Sequence, residues 1–299
     1  MHLYIVLTLF FLAGLIIGSF LNALIYRLEI GRGLGGRSFC PKCKKEIKWY
    51  DLFPVVSWLV LGGKCRYCKA NISDQYPLVE LATGFLFAAI GPHFLSGAGL
   101  DSGQAGSFFI HFSASTLTVI PAPSSVIPAQ AGIQSMLGIF NLLFWLVFAA
   151  GLAAIFVYDL KHQIIPNEII YTLLVLGLVF VGVNTALLGH YQYLIDHLLS
   201  GLVAGGFFYI LAMISGGKWM GGGDIKLVAF MGLVLGWPGI IVALYAGFIL
   251  GAVFGAISLV SGQKKLGSKI PFGPFLVTGT FISFFFLVQI LAVYGRMFL

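Results

Sequence analysis

Apolar runs long enough to cross a bilayer recur along most of the chain, and what interrupts them is more often glycine than charge. A helical span needs about 20 mostly apolar residues to cover a hydrocarbon core of roughly 30 Å. Residues 3–26, 76–95, 137–158, 169–188, 193–215, 225–236, 239–260 and 274–295 read as such spans. The stretch 225–260 is too long for one of them, and "GWPG" at 236–239 offers a turn that divides it into a short and a normal helix. With 59% hydrophobic and 9% charged residues and a mean hydropathy of +1.00, the chain lies outside the range of soluble globular domains. The expected fold is an all-α polytopic membrane protein of about eight transmembrane helices, with a small cytoplasmic subdomain.

Lys and Arg beside short loops are retained on the cytoplasmic side. With the N-terminus outside, the loops 27–75, 159–168, 216–226 and 261–273 all face the cytoplasm, and they hold every Lys and Arg except Arg296. The first apolar stretch lacks a basic region ahead of it, so it reads as a retained first helix (1–26) and not as a cleaved signal peptide. The net charge of +7 then belongs to orientation and to anionic lipid headgroups, and nucleic acid is not an expected partner.

Two stretches are not membrane-like. Residues 96–136, between the second span (76–95) and a membrane region at 137–299, are rich in Ser, Ala, Gly and Pro, with a near repeat "VIPAP" and "VIPAQ". They read as a poorly ordered excursion on the outer side, in which "SFFIHFSASTLTVI" is too short to span. The other is the basic loop 27–75, which contains all four cysteines as "CPKC" (Cys40, Cys43) and "CRYC" (Cys65, Cys68), separated by 21 residues. Two such knuckles can wrap one Zn²⁺ tetrahedrally, and with four protein ligands the site would fold the loop and leave no position for water. Two disulfides, disfavoured in a reducing cytoplasm, and free buried thiols are the alternatives. "GRGLGG" at 31–36 matches a dinucleotide-binding pattern but follows a membrane helix instead of a strand, and reads as a hinge.

The acidic residues differ in setting. Glu29, Glu46, Asp51 and Asp74 stand among basic residues and read as solvated; Asp101 falls in the excursion, Asp196 near the outer interface, and Glu80 about one turn inside the second span, placed to partner a basic group. Asp159 ends the third span in "VYDLKHQIIPN", where Pro166 breaks the helix and Asn167 with Glu168 is expected to cap the next one. Asp224 opens the sixth span after three glycines. The topology puts both carboxylates at the cytoplasmic ends of bundle helices, within reach of each other. Two carboxylates sharing one proton can hydrolyse an amide without a metal or a nucleophilic Ser: one takes a proton from water while its protonated neighbour polarises the carbonyl. Each could equally be a helix cap or mark the membrane edge, and spacing alone does not choose.

"GSFLNALIYRL" at 18–28, the cysteine loop from Cys40 to Glu80, "DLKHQIIPN", "GGGDIKL" and "KIPFGPFL" occur in this order and span nearly the whole chain outside 96–136. Together they resemble the type IV prepilin peptidases, a family of Gly-x-Gly-Asp aspartic membrane proteases also described as prepilin leader peptidase/N-methyltransferases. The resemblance implies a bacterial inner-membrane enzyme. It would remove the basic leader from type IV prepilins or type II secretion pseudopilins on the cytoplasmic side and methylate the new N-terminus with S-adenosylmethionine. It implies Asp159 and Asp224 as the catalytic pair, Gly221 and Gly223 as motif glycines, and Cys40, Cys43, Cys65 and Cys68 as zinc ligands. This chain departs from the family at "RLEIG", where Arg-Leu-Pro is usual, and at Gln75, where an Arg is often found. A proton-coupled transporter and a zinc-bearing scaffold without chemistry are the rival classes; the first predicts proton-dependent flux and no peptide product, the second indifference to Asp→Asn changes.

Overall fold

The computed structural model describes residues 2–33, 35–99, 128–217, 220–262 and 270–298. Among these the regular structure is helical: α1 (His2–Glu29), α2 (Val56–Val60), α3 (Gln75–Gly99), α4 (Pro128–His162), α5 (Asn167–Leu188), α6 (Tyr191–Ile214), α7 (Gly222–Val260) and α8 (Gly273–Phe298), with a 3₁₀ turn at Trp49–Leu52 and two isolated β-bridges in the cysteine loop. Seven of the helices are long and apolar enough to cross a membrane, so this is a multi-pass membrane protein. α3 runs on to Gly99 and α4 begins at Pro128; the "VIPAP" repeat and the "SFFIHFSASTLTVI" run of the expected excursion lie outside the described residues. The chain divides into two compact units, Met1–Ala154 and Ile155–Leu299.

In the first unit α1 and α3 run antiparallel in close contact. A Cβ on Gly14 would lie 2.5 Å from the Thr83 carbonyl oxygen, and one on Gly18 would lie 2.7 Å from Glu80 Cα. Small residues let helix backbones approach where lipid supplies no hydrophobic drive to association. The loop between these helices contains two copies of one turn. Cys40 N–H donates to the Lys45 carbonyl and Lys44 N–H to that of Cys40; Cys65 N–H donates to Ala70 and Lys69 N–H to Cys65. Lys44 and Lys69 hold the same left-handed position in each copy, at φ 60° and 55°. Asp51, expected to be solvated, is instead gripped by Arg66 through both oxygens (2.6 and 2.9 Å), its side chain only 6% exposed, and the guanidinium holds its carboxyl below the usual range. Glu46 does keep a solvated character, in an exposed pair with Arg37. Among the described residues the next element after "GRGLGG" is the 3₁₀ turn at Trp49–Leu52.

In the second unit the decisive feature is inside α7. Gly236 adopts φ 64°, and Gly236 and Trp237 leave helical geometry ahead of Pro238. The kink frees the Leu233 carbonyl, which accepts a hydrogen bond from His197 Nδ1 at 2.8 Å. The chain reverses here, because Phe208 of α6, one turn from the Gly205 that packs on Ala229 of the first half, also lies against Phe248 of the second half at 6.0 Å between ring centroids, which a continuous helix could not bring to the same place. The first half of α7 packs antiparallel on α6, with Gly232 against Ser200 and Gly236 against His197; the second half packs antiparallel on α8, with Gly239 against Ser283 and Gly247 against Phe275. α7 is therefore two helical segments joined at "GWPG", the division that the sequence predicts; with α7 taken as one, the helices long and apolar enough to span number seven among the described residues. This hairpin returns the chain so that α8 starts on the face where α4 ends.

Candidate active site

α4 ends because Gln163 turns left-handed (φ 54°), its N–H closing on the Asp159 carbonyl at 2.9 Å, and Pro166 follows. Asp159, on the last turn, is buried at 4% exposure, and its Oδ2 accepts the Gly273 N–H at 3.0 Å. That N–H opens α8 and belongs to the orphan donors that every helix N-terminus carries. Gly273 is required by the contact itself, because a Cβ there would sit 2.6 Å from the same oxygen. Gly273 lies within "KIPFGPFL", yet nothing local to that string says which carboxylate its N–H meets.

Asp224 stands on the first turn of α7 and is partly buried. Its Oδ2 accepts the Gly221 N–H at 3.3 Å while its own N–H donates to the Gly221 carbonyl at 3.1 Å. The two carboxylates are within electrostatic range of each other. Both therefore cap a helix start, as the modest reading of the sequence allows, and capping occupies only Oδ2 of each. Among the described residues neither Oδ1 has a hydrogen-bond partner.

Ile165 and Gly223 bring the two segments together. Ile165, 5% exposed in the loop after α4, packs so tightly on Gly223 that a Cβ there would approach the Ile165 Cβ to 2.9 Å, whereas one on Gly222 would meet nothing within 4 Å. A second tie runs from Lys226 Nζ to Asn167 Oδ1 at 2.7 Å, with the ammonium 4.6 Å from the Tyr171 ring. Asn167 thus does not cap α5 as expected: Pro166 holds the N-cap position with no side-chain bond, and Lys226 takes the amide. Glu168 does occupy the first turn. Glu80 likewise departs from expectation, its Oε2 accepting the Val55 N–H at 2.7 Å in place of a basic side chain.

In the cysteine loop, one sulfur from each of the four cysteines lies within 4.8 Å of the others, all four are free thiols, and the Cys40 and Cys68 sulfurs are 3.9 Å apart. Sulfurs bound tetrahedrally at about 2.3 Å from Zn²⁺ would be about 3.8 Å apart. The cluster fits a metal ion.

Residues 12–94 match the bacterial Peptidase A24 N-terminal domain and residues 146–256 the type IV leader peptidase family. A prepilin leader peptidase/N-methyltransferase of Pseudomonas aeruginosa is 30% identical over 95% of this chain and 91% of its own. The chain belongs to the type IV leader peptidase family. Proteins of the same printed name from Vibrio cholerae (30% identical, 94% of this chain and 97% of the relative) and Bacillus subtilis (29%, 97% and 98%) match it equally end to end. No solved structure matches it. The family's peptidase model spans α4 to α7, and with it both aspartates, "GGGD" and the α7 kink.

Proposed function

We propose that this chain is a membrane aspartic endopeptidase that removes the leader from type IV prepilins or type II secretion pseudopilins at the cytoplasmic face of the bacterial inner membrane, and then N-methylates the new N-terminus. Asp159 and Asp224 are the catalytic pair. What supports this reading is that two acids, 65 positions apart in the chain, each accept a helix-start N–H through Oδ2 and stand within electrostatic range of each other. With one proton between them, the ionised acid draws a proton from water as the oxygen attacks the scissile carbonyl. The protonated acid donates to the developing oxyanion, and the amine leaves with the proton the first acid collected. The orphan N–H groups at the starts of α7 and α8 fix both side chains before substrate arrives. S-adenosylmethionine, when bound, supplies the methyl group of the second reaction. Cys40, Cys43, Cys65 and Cys68 hold zinc as a fold-forming centre, and anionic lipid surrounds the basic loops.

Purified full-length protein, incubated in lipid with a prepilin and S-adenosylmethionine, is expected to give a pilin lighter by its leader and heavier by one methyl group, read by mass spectrometry. Intact substrate alone would overturn the reading; a shortened, unmethylated product would leave only its first half.

The glycine motif gives a sharper expectation. Gly223→Ala forces the Asp159 loop away from Asp224, and a displacement near 1 Å at a reacting centre costs on the order of a hundredfold in rate. Gly222→Ala, one residue away and facing open space, leaves the cleavage rate within about twofold, as surface substitutions usually do. Equal effects of the two substitutions on initial rates would show that Ile165 packing does not set the distance between the acids.

A further inference from the structure

Where α1 and α3 meet, two buried polar side chains are short of hydrogen-bond donors. Glu80, in the second turn of α3, is 6% exposed; its Oε2 accepts the Val55 N–H and the Ser19 hydroxyl lies beside it. Among the described residues no basic group lies within ion-pair distance of it. On the facing helix Asn22, 3% exposed, donates through Nδ2 to the Tyr76 carbonyl at 3.0 Å, and its Oδ1 is buried without any partner. Gly18 packs on Glu80 Cα and Asn22 bonds to Tyr76, so the two residues stand on successive turns of one seam, their backbones about 6 Å apart along it. A carboxylate has about four lone-pair sites. A buried carboxyl with no basic partner and a buried amide oxygen with no donor are each expensive to retain for structure alone.

The turn that Glu80 holds is itself strained. Val55 holds φ 59°, ψ −51°, with Val56 N–H on the Pro54 carbonyl. This is a γ-turn of the rare positive-φ kind, on a β-branched residue that disfavours it. The Glu80 bond to Val55 N–H keeps it in place, so a competitor for Glu80 would release the turn.

We propose that Glu80 and Asn22 form a receiving site for a primary ammonium group. Its three N–H donors and single charge supply what the two oxygens lack. A quaternary ammonium or a sulfonium, having no N–H, would leave Asn22 Oδ1 unsatisfied. The inference rests on the proposed two-step function, which presents two such groups: the α-amine freed by leader removal and the α-ammonium of the methyl donor. The competing role for Glu80 is to staple the Val55 turn. Glu80→Gln separates the two, since Gln still accepts from Val55 N–H but carries no charge.

Full-length protein in lipid is to be tested with a pre-cleaved pilin peptide bearing a free N-terminus, the same peptide N-acetylated, and S-adenosylhomocysteine. No step of the test needs leader cleavage, so it fails or succeeds apart from the aspartate reading. Glu80→Gln is expected to weaken binding of the free-amine peptide or of S-adenosylhomocysteine by at least about tenfold, with the acetylated peptide unaffected. Whichever of the two ligands weakens identifies the source of the ammonium. In the unmutated protein, an apolar carbodiimide should join Glu80 to the bound amine, and the adduct mass should name the same ligand. Unchanged binding of both ligands in Glu80→Gln, or no adduct on Glu80 with either, would overturn the proposal.

Discussion

Asp159→Asn and Asp224→Asn are each expected to lower the rate of leader cleavage by at least about a thousandfold while leaving the fold intact, since positioned acid–base groups contribute about 10²–10⁴ and a shared-proton pair acts as a unit. The substitution separates chemistry from capping. Asn keeps the size of Asp and an acceptor oxygen, so Gly273 N–H and Gly221 N–H stay satisfied, and Asn caps helices about as well as Asp. If the acids only capped α8 and α7, both variants would cleave normally. With catalysis, the cap survives and turnover does not, because an amide neither takes a proton from water nor returns one to the oxyanion. The measurement is single-turnover cleavage of a full-length prepilin, with thermal unfolding of each variant alongside. Retention of more than about a tenth of the rate in either variant would be inconsistent with general acid–base catalysis by the pair.

What made this arrangement legible in the sequence was composition and punctuation. Apolar runs marked the spans, and "GWPG" marked the reversal within α7, because Gly at positive φ and Pro without a donor leave a helix little choice. What stayed illegible depends on approach through space. Asp51 looks solvated until Arg66, fifteen positions on, closes over it. Asn167 looks like a cap until Lys226, fifty-nine positions on, takes its amide. Gly273 meets Asp159 across 114 positions. The same is true of Gly223, whose presence in the motif is visible but whose need is set by the Ile165 side chain. Local propensity places helix ends; tertiary contact decides which side chain each orphan donor receives.

Removal of one cysteine sulfur should have the other large consequence. Apart from the cluster, the loop between α1 and α3 is held by small elements and few polar contacts, among them two isolated β-bridges, a five-residue helix, a 3₁₀ turn, the Arg66–Asp51 and Arg37–Glu46 pairs and the Val55 bond to Glu80, with Trp49, Phe53, Leu59 and Val60 exposed. A loop of this kind cannot bury enough apolar surface to offset its ordering entropy. Structural Zn²⁺ contributes about 10–16 kcal/mol in small metal-folded peptides, far more than an exposed or half-exposed ion pair. Cys43→Ser is therefore expected to lose bound metal and to expose residues 38–73 to protease, while the α1–α3 seam, held by glycine-mediated packing, keeps its helicity. Unmodified protein should contain about one Zn²⁺ per chain, resist the same protease, and become sensitive on treatment with a chelator but not with a reductant. That last contrast decides between metal and disulfide, because a tetrathiolate centre yields to chelation and a cystine to reduction. Protein that is metal-free as isolated and still protease-resistant would show that the paired knuckles fold without an ion.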